Sequence, residues 1–145
     1  MRELYRQNGI EIRYAGSGKQ NYGVILRGQS VMEEARCEVV VYQDSIRELA
    51  AHSAWEGRSL TPEQALDVHL AHEFFHIWEY RERRSIAEEL EPVVSMSFLG
   101  LRRRVHINRC GEIAAHAFAK ELLGLPFLPN FYDYRYLIET GAMAR

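Results

Sequence analysis

Near the middle of this 145-residue sequence stands His72-Glu73-Phe74-Phe75-His76, an H-E-x-x-H pattern whose two histidines are four residues apart. On a helix that spacing puts both imidazoles on one face about one turn apart, within reach of a single tetrahedral ion. Glu73 directly follows the first histidine, so its carboxylate flanks the same place without being forced to ligate. The chemistry open to such a set is metal-assisted hydrolysis. Zinc lowers the pKa of a water towards neutrality, and a neighbouring carboxylate accepts its proton as the water attacks a polarised carbonyl.

A catalytic zinc usually keeps three protein ligands and leaves the fourth place for water, so a third ligand is required. Glu88, Glu89 and Glu91 lie in a charged run before Pro92 that reads as a solvated face. Glu112 is different. It opens a segment, Glu112-Ile113-Ala114-Ala115-His116-Ala117-Phe118-Ala119, whose alanines would let one helix approach another closely, and it shares a face with His116. His69 is one turn upstream of His72 and far from His76 along the axis, so it reads as a supporting or packed histidine rather than a ligand.

Two helices must hold these residues. The first starts at Thr61-Pro62-Glu63-Gln64, where Thr61 caps, Pro62 takes the first helical position and Gln64 can reach back; it runs to about Arg83. Val68, Leu70, Ala71, Phe74, Phe75, Ile77 and Trp78 make it apolar almost all round, with His69, His72, Glu73, His76 and Glu79 as its polar stripe. The second runs from about Asn108 to Leu123, with Gly124 and Pro126 as stop signals. Two more are expected: Ser45 to Trp55, with Ser45 and Glu48 at capping-box spacing, and Asn130 to about Thr140 before Gly141.

Ahead of the helices, Ile10–Tyr14, Tyr22–Arg27 and Cys37–Tyr42 alternate as strands, with Gly16-Ser17-Gly18 as turn chemistry between the first two. Val31–Arg36 reads as a helical turn or as loop. A weaker helical segment near Ser85 must stop or bend at Pro92, Val93–Leu101 is apolar without a clear period, and Arg102-Arg103-Arg104 is expected in a loop.

The H-E-x-x-H helix, followed by a glutamate with alanine three on, Phe-Ala at six and seven and Glu-Leu-Leu at nine to eleven, resembles the ImmA/IrrE metallopeptidases over about Leu66 to Pro126. The resemblance implies a zincin-like α+β domain, a small, mostly antiparallel sheet packed against about four helices. It implies one zinc ion held by His72, His76 and Glu112 between the two site helices, with Glu73 as general base. It also implies an intracellular protein or peptide substrate, since members act on or are linked to repressor-type transcription regulators. His116 stands where the family often has asparagine, and its role is open between orienting Glu112, ligation, oxyanion stabilisation and plain packing. Tyr132, Tyr134 and His106 are further candidate oxyanion donors, although tyrosines near a chain end more often fill core edges.

Two rival readings share the motif. One is a zinc-bearing regulatory module of the same fold without useful turnover, and the other a structural zinc site closed by a fourth ligand such as His116. Composition bounds both. A chain of this length with 47% hydrophobic and 26% charged residues suits a single domain. A net charge of −2 gives no electrostatic case for nucleic acid. No apolar run is long enough to span a membrane, and the polar opening Met1-Arg2-Glu3-Leu4 lacks the character of a secretory signal, so a cytoplasmic location is the expectation. Cys37 and Cys110, without paired spacing, read as free thiols.

Overall fold

A computed structural model describes residues 1–17, 25–34, 36–98, 101–107 and 109–143. Helix α1 (Arg2–Gln7) leads into β1 (Glu11–Ala15), β2 (Gly28–Glu33) and β3 (Arg36–Tyr42), then α2 (Gln43–Ala51) and the long α3 (Pro62–Glu82). The one-turn α4 (Ile86–Glu89), a hairpin of β4 (Val93–Phe98) and β5 (Leu101–Val105), α5 (Arg109–Leu123) and α6 (Asn130–Glu139) complete an α+β fold.

β3 is the middle strand of the order β1-β3-β2, and its Cys37 to Val41 are all buried, as expected of a strand flanked on both sides. It pairs antiparallel with β2 and parallel with β1. With the antiparallel hairpin this keeps the pairing mainly antiparallel, while the β1 ladder departs from that pattern. β1 and β2 are the two edges of the sheet, and α3 packs beside β2.

The capping signals at Thr61 act as their chemistry dictates. Thr61 Oγ1 accepts from the Gln64 backbone N–H at 3.1 Å and Gln64 Oε1 accepts from the Thr61 N–H at 2.9 Å, while Pro62 occupies the first turn. From there α3 crosses the core, burying Leu66, Leu70 and Ile77 against Val39, Val41, Ile46, Leu49 and Tyr136. α1 gives no clear sequence signal because it has six residues and buries only Tyr5. That one residue is fully buried, and its hydroxyl donates to the Leu70 carbonyl at 2.7 Å, tying the chain's start to the middle of α3.

Several elements differ from the sequence expectation. α2 starts at Gln43 directly out of β3, with Tyr42 as its cap position and no side-chain cap. Ser45 lies inside it, buried, and its carbonyl accepts from Arg27 at 3.0 Å. α2 ends at Ala51, not Trp55, because Ser53 Oγ binds the Ala50 carbonyl and the Leu60 N–H and turns the chain. The second strand is Gly28–Glu33, not Tyr22–Arg27; residues 25–27 are not strand, and 22–24 lie outside the described residues, as do Gly18 and Asn108. Val31 is therefore strand rather than turn, its neighbours held by the β3 ladder. Arg102-Arg103-Arg104 forms β5 rather than loop, paired with β4 across a bulge near Ser95. This hairpin exposes Met96, Phe98 and Leu101, so its strands carry no inside–outside alternation to read. Among the described residues no helix is long and apolar enough to cross a membrane, and Cys37 and Cys110 are free.

Candidate metal centre

α3 and α5 build the site by close approach. Gly111, Ala115 and Ala119, at four-residue spacing, are the buried residues of α5, and this small-residue stripe lets the two helices pack tightly. Glu112 and His116, next to the stripe, are thereby delivered to His72. Glu112 Oε2 lies 3.4 Å from His72 Nε2 and Glu112 Oε1 lies 3.5 Å from His76 Nε2, while the two imidazole Nε2 atoms are 3.2 Å apart.

Those three separations can be tested against a metal's demands. Zinc–nitrogen and zinc–oxygen bonds of 2.0–2.2 Å at a tetrahedral angle require ligand edges of about 3.3–3.5 Å. The observed separations lie close to that range, the Nε2–Nε2 edge slightly short at 3.2 Å and the two Glu112 edges ending on different carboxylate oxygens, and two imidazole nitrogens with a carboxylate are a donor set suited to zinc. Among the described residues His72, His76 and Glu112 form the one group of three possible ligands that converges in this way.

The surroundings prepare the ligands. Burial, reinforced by His116, His76 and His69, lowers the pKa of His72 from its ordinary value to about 3, so its ring is neutral and has a lone pair to offer. His76 Nδ1 faces Glu79 Oε2 at 3.4 Å, which orients the ring with Nε2 towards the triangle. The other Glu79 oxygen accepts from the Ile86 N–H at 2.8 Å, anchoring that carboxylate to the start of α4. Burial also lowers His69 and His116.

Comparisons with known proteins find no counterpart. No family model matches the chain, and neither does any curated protein or solved structure.

Glu73 occupies a cradle that the sequence pattern did not disclose. Ser30 Oγ, on β2, donates to Glu73 Oε2, and His69 Nε2 lies 3.5 Å from Glu73 Oε1. His69 stays outside the ligand triangle and flanks the carboxylate instead. It can do so because Gly28 has no side chain: a Cβ there would overlap the His69 ring. Ser30 and Gly28 carry no motif of their own. Their position becomes significant only once β2 lies along α3.

An open cleft of about 490 Å³ lined by Ser30, Met32, Glu73 and Glu79 exposes the triangle, and Glu112 itself is 59% exposed. A second hollow of about 310 Å³ shares His72 and Glu112 and is lined by His69, His116, Arg27 and Asp133, together with apolar walls. A larger hollow of about 650 Å³ near Arg2, Tyr14 and Glu63 borders none of these histidines. The two hollows at the triangle contain the convergent donors, and the larger one does not.

The remaining sequence candidates separate cleanly. His116 packs on His72, ring centroids 4.6 Å apart, but is not a member of the converging ligand group. Tyr132 is a core residue, Tyr134 is exposed, and His106 Nδ1 binds the Ala87 carbonyl at 2.8 Å; none of the three lines either hollow at the triangle. Glu89 pairs with Arg84 at 2.6 Å, and Glu88 and Glu91 are exposed on the surface, in keeping with a solvated run.

Proposed function

We propose that this chain is a zinc-dependent metallopeptidase that hydrolyses a peptide bond in a protein substrate. The observation that carries this reading is the convergence of His72, His76 and Glu112 into one possible ligand group with the Glu73 carboxylate beside it in an open cleft. Zinc bound there would supply Lewis acidity, acidifying water and polarising a carbonyl oxygen. Glu73 is the base: it accepts the proton of the attacking water and returns it to the leaving amine. Ser30 holds one Glu73 oxygen and leaves the other facing His69.

The resemblance to the ImmA/IrrE metallopeptidases supports the same reading and proposes a repressor-type regulator as substrate. The two free thiols suit a reducing intracellular compartment.

Glu73→Gln is the deciding variant, measured for zinc content and peptide hydrolysis together. Zinc retained with turnover reduced at least about 100-fold is the expected result, since a general base contributes 10²–10⁴-fold. Normal turnover by that variant removes the assigned role. A second reading, a zinc-bearing interaction module without turnover, is favoured by one feature, the exposed apolar hairpin with Met96, Phe98 and Leu101. Tight binding of a partner without its cleavage would select it.

A further inference from the structure

His72 and Glu112 border two different hollows. One is the open cleft with Glu73 and Glu79, and the other is the smaller cavity lined by Arg27 and Asp133. His72 and Glu112 line both hollows, so a peptide group brought to the triangle adjoins each of them.

The cavity has a definite chemical character. Ile25, Leu26, Leu49, Ala65, Val68 and Pro129 supply apolar walls. Its two formal charges away from the triangle cancel, because Arg27 Nε binds Asp133 Oδ1 at 2.8 Å. Arg27 is only 10% exposed and also donates to the Ser45 carbonyl, so it is committed to structure rather than free to meet a ligand. Gly28, without a side chain, leaves the His69 ring space beside the cavity. A volume of about 310 Å³ is on the order of ten water molecules, enough for one large side chain.

We propose that this cavity is the specificity pocket of the site and that it receives a bulky, uncharged apolar side chain, of leucine, methionine or phenylalanine size, adjoining the scissile peptide bond. The inference rests on the metallopeptidase reading for its orientation, since the triangle is what places the peptide group at the cavity mouth. A charged side chain would meet apolar walls and a charged pair, Arg27 and Asp133, that is already joined.

Hydroxamates that differ only in their tails test the pocket without requiring turnover. Their binding to the zinc-loaded and the metal-free full chain is measured by calorimetry. Zinc should raise the affinity for acetohydroxamate, which reads the metal alone. On the zinc-loaded protein, 4-methylpentanohydroxamate and 3-phenylpropanohydroxamate should bind at least about tenfold tighter than acetohydroxamate, since each fully buried methylene is worth roughly fourfold. The cationic 6-aminohexanohydroxamate should show no such gain. Val68→Phe, on the wall, and Leu26→Trp, at a half-buried position, should each cut the gain to under about threefold while keeping the zinc content.

Equal affinity for all tails, with the zinc dependence intact, would overturn the pocket and leave the metal site standing. A cationic tail binding as tightly as the branched one would overturn the uncharged class. Absence of any zinc effect on acetohydroxamate would overturn the metallopeptidase reading and the pocket with it. The wild-type series decides by itself if neither variant folds.

Discussion

Ser30 Oγ donates a hydrogen bond to Glu73 Oε2, joining the edge strand β2 to the carboxylate of the H-E-x-x-H pattern. Ser30 touches none of the three possible metal ligands in this contact, so it acts on the reaction through Glu73. Ser30→Ala is expected to lower kcat by roughly tenfold with little change in KM or zinc content, because a hydrogen bond to a charged group is worth about 1.5–3 kcal/mol. A proportional loss of zinc would show that Ser30 supports the fold of the site instead.

Glu112 separates metal binding from stability. Its side chain is 59% exposed, so Glu112→Ala should change the stability of the metal-free chain by no more than about 0.5 kcal/mol. Zinc affinity should fall by at least about 100-fold, because two imidazoles alone hold the ion poorly. Elemental analysis beside denaturant melts of both metal states checks the pair of expectations, and unchanged zinc content would remove Glu112 from the ligand set.

Acid should destabilise the metal-free protein through its buried histidines. Burial lowers His72 to about 3 and also lowers His69 and His116, whereas in the unfolded chain an imidazole titrates near 6.5. Between those values the unfolded state binds protons that the native state refuses. The stability contributed by a neutral His72 is therefore present above about pH 6.5 and is lost as the pH falls towards 3, with a limiting slope of about 1.4 kcal/mol per pH unit, and His69 and His116 act in the same direction. Urea midpoints at a pH of about 7.5, 6.5 and 5.5 should decline, and His72→Leu should flatten the decline. A midpoint that rises on acidification would contradict a neutral His72.

Gly28 is a position where one methyl group should disturb the base. A Cβ there overlaps His69, the ring beside Glu73 Oε1. Gly28→Ala is expected to cost about 1–3 kcal/mol by overpacking and to reduce turnover while leaving zinc bound, since it displaces no ligand. Wild-type stability and rate in that variant would show that the His69 ring can move away freely.

Some of this architecture was legible from local chemistry. The capping box at Thr61 was readable because a hydroxyl and an amide three residues apart satisfy each other's backbone whatever the tertiary context. The α2 boundary was misread because Ser45 has the right residue type for a cap, yet its burial and the Arg27 contact place it within the helix. The hairpin was missed for the opposite reason: an exposed two-stranded ribbon has no buried face to impose a period.

By itself the sequence determined the paired imidazoles and their adjacent carboxylate, because a helix converts the four-residue interval into one face by its own geometry. It also marked α5 as a close-packing helix through the alanines that follow Glu112, of which Ala115 and Ala119 are buried. Only the tertiary structure decided that Glu112 straddles both histidines, that Ser30 and Gly28 reach the base from β2, and that a second hollow with the paired Arg27 and Asp133 adjoins the triangle. These relations join segments distant in the chain. They depend on strand order and helix packing, which long-range burial sets and no local interval encodes.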